Sequence, residues 1–186
     1  MQVVKATTSD MPQVIELLKI ILDEMELPFY LNNDQNEVTK LFTKTFQSKT
    51  YTNDADVLVA KVDNQVAGLA FGYPGKNEDV LDDEFQKHFD QVNIPAQEIY
   101  EDPEADADEW YLDSLVVNPE FQNQGIGTTL LNAIPKFAKQ RGLTKVGLLV
   151  DDLNPNAERL YRRIGFRDDH EQVVSNHHYK HLKLDL

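Results

Sequence analysis

The sequence predicts an α/β fold, with one mixed central sheet and helices on both of its faces. Three features lead there. Strands alternate with helices through the second half, a β-hairpin sits in the first half, and two adjacent strands close the chain. The order reads β-α-α-β-β-insert-β-α-β-α-β-β, in one domain over residues 1–186 with an acidic insertion at about 75–109.

Residues 2–6 are a short apolar run and form the first strand. Thr8, Ser9 and Asp10 supply a helix cap, and Pro12 falls in the first turn, where its missing N–H costs little. Met11, Val14, Ile15, Leu18, Ile21, Leu22 and Met25 recur at helical spacing, giving an amphipathic helix to about residue 26 that Pro28 ends. A second helix spans about 34–48, with Val38, Leu41, Phe42 and Phe46 on one face. The runs 57–62 and 66–73 are hairpin partners across an Asp63-Asn64 turn, and Pro74-Gly75 closes the second. Leu81, Phe85, Phe89 and Val92 give the insertion one short helix, while residues 101–109 read as loop. Residues 110–117 are an apolar strand interrupted by Asp113 and Ser114. A helix from Gly125 to Gln140 is stopped by Gly142, and Pro135 inside it predicts a kink. Residues 145–150 are a strand, Asn154-Pro155 opens a last helix to about Arg163, and strands at about 166–174 and 177–185 meet at a Ser175-Asn176 turn.

Composition bounds the function. The chain has 32 acidic and 18 basic residues, and its net charge of −14 argues against binding a polyanion such as duplex DNA. With no cysteine, disulfides, thiolate metal sites and a cysteine nucleophile are excluded. No apolar run approaches a membrane span and the first residues show no leader pattern, so a cytoplasmic protein without a membrane partner is expected. The charge is concentrated. Residues 75–109 hold thirteen acids against Lys76 and Lys87, a net −11, which leaves −3 for the rest. Such a segment either solvates a loop or presents a field to a cationic partner.

The turn Gln122-Asn123-Gln124-Gly125-Ile126-Gly127-Thr128-Thr129 joins a buried strand to a helix. A helix start offers unpaired N–H groups and the positive end of the macrodipole, and glycines permit close backbone approach. Together these make a diphosphate cradle, unless the two glycines merely ease a tight turn. A dinucleotide site lacks its third glycine here, and no Gly-Lys-Ser/Thr ending exists for a nucleoside triphosphate.

Three blocks in register resemble one family. Gln122-x-x-Gly125-x-Gly127 is similar to the Gln/Arg-x-x-Gly-x-Gly/Ala signature of the GNAT superfamily of acyl-CoA N-acyltransferases. Leu112-Asp113-Ser114-Leu115-Val116-Val117-Asn118-Pro119 resembles the strand before that signature. Asn154-Pro155-Asn156-Ala157-Glu158-Arg159-Leu160-Tyr161, running on to Gly165-Phe166, resembles the family's later Asn-x-x-Ala-x-x-Leu-Tyr-x-x-x-Gly-Phe block. The clear match covers about 110–167.

The resemblance implies acetyl-CoA as co-substrate and no metal. Pantetheine would pair with the backbone of Leu115, Val116 and Val117. The pyrophosphate would rest on N–H groups from Gln122, Asn123, Gln124, Gly125, Ile126, Gly127 and Thr128. Asn154 matches a pantetheine-contacting position and also fits a helix N-cap. Tyr161 matches the general acid toward the departing thiolate, its plain alternative being an anchor between core and solvent. The family places its base in no one motif. Asp113, interrupting a buried strand, is the first candidate and Glu109 the second, although Glu109 also reads as the last charge of the acidic segment. An oxyanion donor is expected near Val116, and Lys136, Lys139, Arg141 and Lys145 are available to offset CoA phosphates or simply to be solvated.

His170, His177, His178 and His181 cluster near the end, but strand alternation splits them and no ligand quartet forms, so an exposed hairpin is expected. The activity implied is acetyl transfer to a small-molecule or peptide primary amine, a cationic one if the acidic segment steers it. The alternative is a non-catalytic acyl-CoA-binding sensor or assembly module. Apolar edge strands at the C-terminus allow a homodimer.

Overall fold

Seven strands form: β1 (Gln2–Lys5), β2 (Asp56–Val62), β3 (Gln65–Pro74), β4 (Trp110–Val117), β5 (Lys145–Asp151), β6 (Arg167–Val174) and β7 (His177–Asp185). In this computed structural model, which describes residues 1–24, 28–95, 102–174 and 177–186, they pair in the order β1-β2-β3-β4-β5-β7-β6. Every pairing is antiparallel except β4 with β5. The predicted Ser175-Asn176 turn lies outside the described residues. The Asp63-Asn64 turn is present, with φ of 48° and 65°, the left-handed pair that tight hairpins require.

Each face of the sheet is covered by its own core. On one side pack α1 (Met11–Glu24), α3 (Gln35–Phe46), α4 (Lys49–Asp54) and α5 (Glu78–Lys87), with α2 (Pro28–Leu31) beside α1. Phe42, Phe46, Tyr51, Phe71 and Tyr73 form a continuous aromatic series there, centroids 5.0–6.2 Å apart. On the other side lie α6 (Ile126–Gln140) and α7 (Pro155–Ile164), whose Leu130, Leu131 and Ile134 meet Trp110, Leu112 and Val146. No helix among the described residues is long and apolar enough to cross a membrane.

Local chemistry explains the boundaries and the departures from expectation. The cap before α1 is Thr7, whose N–H and hydroxyl both donate to Asp10 Oδ2 at 2.8 Å, because residues 8–10 form a 3-10 turn of their own. The second predicted helix is two: α3, capped by Asp34, and α4, capped by Ser48, which interrupts the run. Pro28 opens α2, consistent with its tolerance in a first helical turn. The predicted short helix of the acidic segment is α5, and Leu81, Phe85, Phe89 and Ile94 are buried where it packs with α3 and α4. Helix α6 holds Pro135 in its interior, as the sequence places it.

Arg141, a candidate phosphate partner on sequence grounds, is committed elsewhere. It lies beyond the C-terminal end of α6, away from the glycine turn, and pairs with Asp56 Oδ1 at 3.0 Å while donating to the Ala55 carbonyl at 2.9 Å. Burial alone would raise the Asp56 carboxyl, but Arg141, Lys5 and the Trp110 indole N–H together hold it below the ordinary range.

Candidate active site

The site forms where the sheet comes apart. β4 pairs with β5 only at Trp110–Val146 and Tyr111–Gly147; beyond that point the strands diverge. β4 continues to pair with β3 through Val117, so its other edge, from Leu112 onward, is open along Leu115, Val116 and Val117. Unpaired strand edges are ready partners for an extended chain of amide groups.

At the far end of that opening, Asn118, Asn123 and Gly125 shape the turn into α6. Asn118 caps the short turn at 119–121, Asn123 has φ 61° and Gly125 has φ 77°. A Cβ on Gly125 would meet no atom within 4 Å, so backbone conformation, not packing, calls for glycine there. No side chain caps α6 and no acid lies in its first turn. Asn154, by contrast, caps α7 by accepting from the Ala157 N–H at 3.1 Å, the N-cap role expected for it. An uncapped N-terminus with open space in front of it suits an anion.

At the near end lies Asp113. The β3–β4 register slips there: Phe71 faces Ser114 but Gly72 faces Leu112, making Asp113 the extra residue of a β-bulge. The bulge turns its side chain into a cavity of ≈ 140 Å³ between the sheet, α1 and α5. Asp113 lines this cavity and keeps access to solvent. Its Oδ1 accepts from Ser114 Oγ at 2.6 Å. Burial, and then the nearby Glu78 carboxylate, push its carboxyl up to about 6, partly offset by hydrogen bonds from Ser114 and Tyr73.

Sequence reasoning did not single out the rest of this wall. Asp82 on α5 and Glu104 line the same cavity, and both are pushed up to about 7. For each the main cause is burial, followed by neighbouring carboxylates. Glu104 Oε2 also accepts from Tyr111 Oη at 2.6 Å. Glu78, behind them, is raised chiefly by burial, while its carboxylate accepts from the N–H groups of Glu104 and Ala105. Among the described residues none of the four acids has a basic partner. Acids with raised values cost stability as the pH climbs through them, so this wall strains the fold near neutrality until a cation neutralises it.

Tyr161 lies on α7, its ring edge-on to Phe166 at 5.9 Å. Burial pushes its hydroxyl up to about 12, which keeps it a protonated donor.

Two sequence expectations are corrected here. Glu109 does not line the cavity. It is fully buried, with Oε1 accepting from His181 Nε2 at 2.9 Å and from the Asp106 N–H at 3.1 Å, and Lys183 Nζ stands 3.8 Å from Oε2. Gly147 makes room for it, since a Cβ there would fall 2.0 Å from the carboxyl. The closing hairpin is also not simply exposed: His181 is fully buried and stacks on His170 at 4.5 Å. Asp106, Asp169, His170 and His181 gather together, and Lys183 supplies the positive charge among them, 2.6 Å from Asp106 and 3.0 Å from Asp169.

A mixed sheet parting between two parallel strands, with an uncapped helix N-terminus across the gap, is the architecture of an acyltransferase. Residues 18–166 match the model of the acetyltransferase (GNAT) family, and the chain belongs to that family. A solved structure described as an acetyltransferase superposes with a TM-score of 0.87 at 31% identity, covering 100% of this chain and 99% of its own. A PaiA N-acetyltransferase from Thermoplasma acidophilum, in complex with coenzyme A, shares the fold at TM-score 0.59 and 17% identity, with coverage of 100% and 98%. Thialysine N-epsilon-acetyltransferase of Sus scrofa is 36% identical over 58 residues, 31% of this chain. That match spans 34% of the curated relative's length.

Proposed function

We propose that this protein moves an acetyl group from acetyl-CoA to a cationic primary amine by direct attack in a ternary complex. The observation that carries the reading is the placement of Asp113: a bulged, ionisable carboxylate where the open edge of β4 meets an acidic cavity. The open backbone of Leu115 to Val117 suits pantetheine, and the uncapped N–H groups of the turn from Gln122 to Thr128 suit its pyrophosphate. The thialysine enzyme, matched over part of its length, acetylates an amine by name, which agrees with this direction.

The steps follow from the groups present. Asp82 and Glu104 attract the ammonium. Asp113 takes one of its protons and, being open to solvent, passes it to water. The freed nitrogen attacks the thioester carbonyl carbon, the C–S bond breaks as the amide forms, and the nitrogen's second proton ends on the sulfur. Tyr161 donates a hydrogen bond to that sulfur. Full transfer from a phenol at about 12 to a thiolate of ordinary pKa, about 8.5, runs uphill, so its part is to stabilise the leaving group while the proton arrives. With no cysteine, no thiol acyl-enzyme forms.

Two results are expected. CoA release from acetyl-CoA, measured against a panel of amines, is fastest with cations and drops about fivefold from low to high salt as rim charges are screened. A neutral or anionic acceptor that outpaces the cations sinks the cationic part of the reading. Gly125→Val forces a β-branched residue to φ 77°, a cost of about 1–2 kcal/mol, and raises KM for acetyl-CoA roughly tenfold with kcat unchanged. An unaltered KM removes the turn from the binding site.

A further inference from the structure

The cavity beside Asp113 is two-sided, and that asymmetry describes the acceptor more closely than its charge does. Carboxylates occupy one wall, namely Asp82, Glu104 and Asp113. The rest of the lining is mostly carbon, with Leu22 from α1, Phe29, Phe42, Phe46, Phe71 and Phe85 from α5, and its only other polar side-chain groups among the described residues are the hydroxyls of Tyr51, Tyr73 and Ser114. No Lys, Arg or His lines it among the described residues. Its volume, ≈ 140 Å³, is close to the cavity of about 150 Å³ that takes up one benzene ring.

Resting on the amine-acceptor reading above, we infer that the acceptor is a small primary amine with an apolar body, a short alkylamine or an arylalkylamine. Its ammonium sits among Asp82, Glu104 and Asp113, and its carbon body lies against the aromatic wall.

Three exclusions follow from the same residues. An amino acid brings a carboxylate into a cavity with no cation to receive it and three acids to repel it. A diamine must place its second ammonium away from the three carboxylates, in a lining whose remaining polar groups are neutral hydroxyls. A lysine-rich peptide can insert only one side chain and must leave its other cations outside the acidic lining. An apolar body gains instead, since each buried methylene is worth about fourfold in affinity.

Matched pairs test this, each read twice: by calorimetric binding to the CoA-loaded protein, and by turnover with acetyl-CoA. Phenethylamine is compared with phenylalanine, which differs by the carboxylate, and butylamine with diaminobutane, which differs by the second ammonium. The expected result is at least a tenfold advantage in kcat/KM and in affinity for the first member of each pair. Leu22 is only half-buried, so Leu22→Asp keeps the fold while giving the carbon wall a carboxylate, and it reverses the butylamine pair. Diaminobutane or phenylalanine equal to or better than its partner in the native protein overturns the inference and leaves amine acetylation standing. Binding of phenethylamine without any acetyl transfer overturns the transferase reading and, with it, the amine as acceptor.

Discussion

Tyr161→Phe lowers kcat about 100-fold while acetyl-CoA binds as before. The substitution removes only the hydroxyl. The ring keeps its edge-on contact with Phe166 and its place on α7, so neither fold nor cofactor groove is disturbed. What is lost is a donor that burial holds protonated, at about 12, and that the proposed mechanism directs at the departing sulfur. Steady-state kinetics with a separate acetyl-CoA titration check it. Unchanged kcat removes Tyr161 from the chemistry and leaves it as a packing residue.

Asp113→Asn lowers kcat by a comparable factor, roughly 100-fold, because an amide cannot accept the ammonium proton. The pH profile identifies the cause. A general base works only when ionised, and the Asp113 carboxyl is raised to about 6, so native kcat falls as the pH drops through about 6. The acid limb disappears in the variant. Asp82 and Glu104, raised to about 7, face the same cavity and lose their charge in a neighbouring window. Their protonation weakens attraction of the cation and enters through KM, while that of Asp113 enters through kcat. A variant that keeps the native acid limb in kcat assigns the base to another group.

The sheet was legible because its signals are local. Residues 57–73 carry alternation and a turn dipeptide, and the signature block carries its own glycines, so strand and loop assignments needed no knowledge of distant partners. The family resemblance rested on the same contiguous blocks. What escaped were pairings made across the chain. Arg141 reaches Asp56 from 85 residues away, and Glu109 meets His181 across 72, so neither could be told from a solvated charge. In the acidic segment the helix was legible from Leu81, Phe85 and Phe89 at helical spacing, but not the surface it docks on. Docking α5 brings Asp82 to face Asp113, and Glu104 closes the same wall, a three-carboxylate arrangement that no single stretch of sequence encodes.

Direct acetyl transfer from acetyl-CoA to a bound amine is tested by a single turnover with the protein in excess, quenched and read by mass spectrometry. The expected result is N-acetylated amine appearing in step with free CoA, and no acetylated protein at any time. Acetyl-CoA left intact on the protein with every amine, or acetate formed in place of an acetylamide, rules direct transfer out.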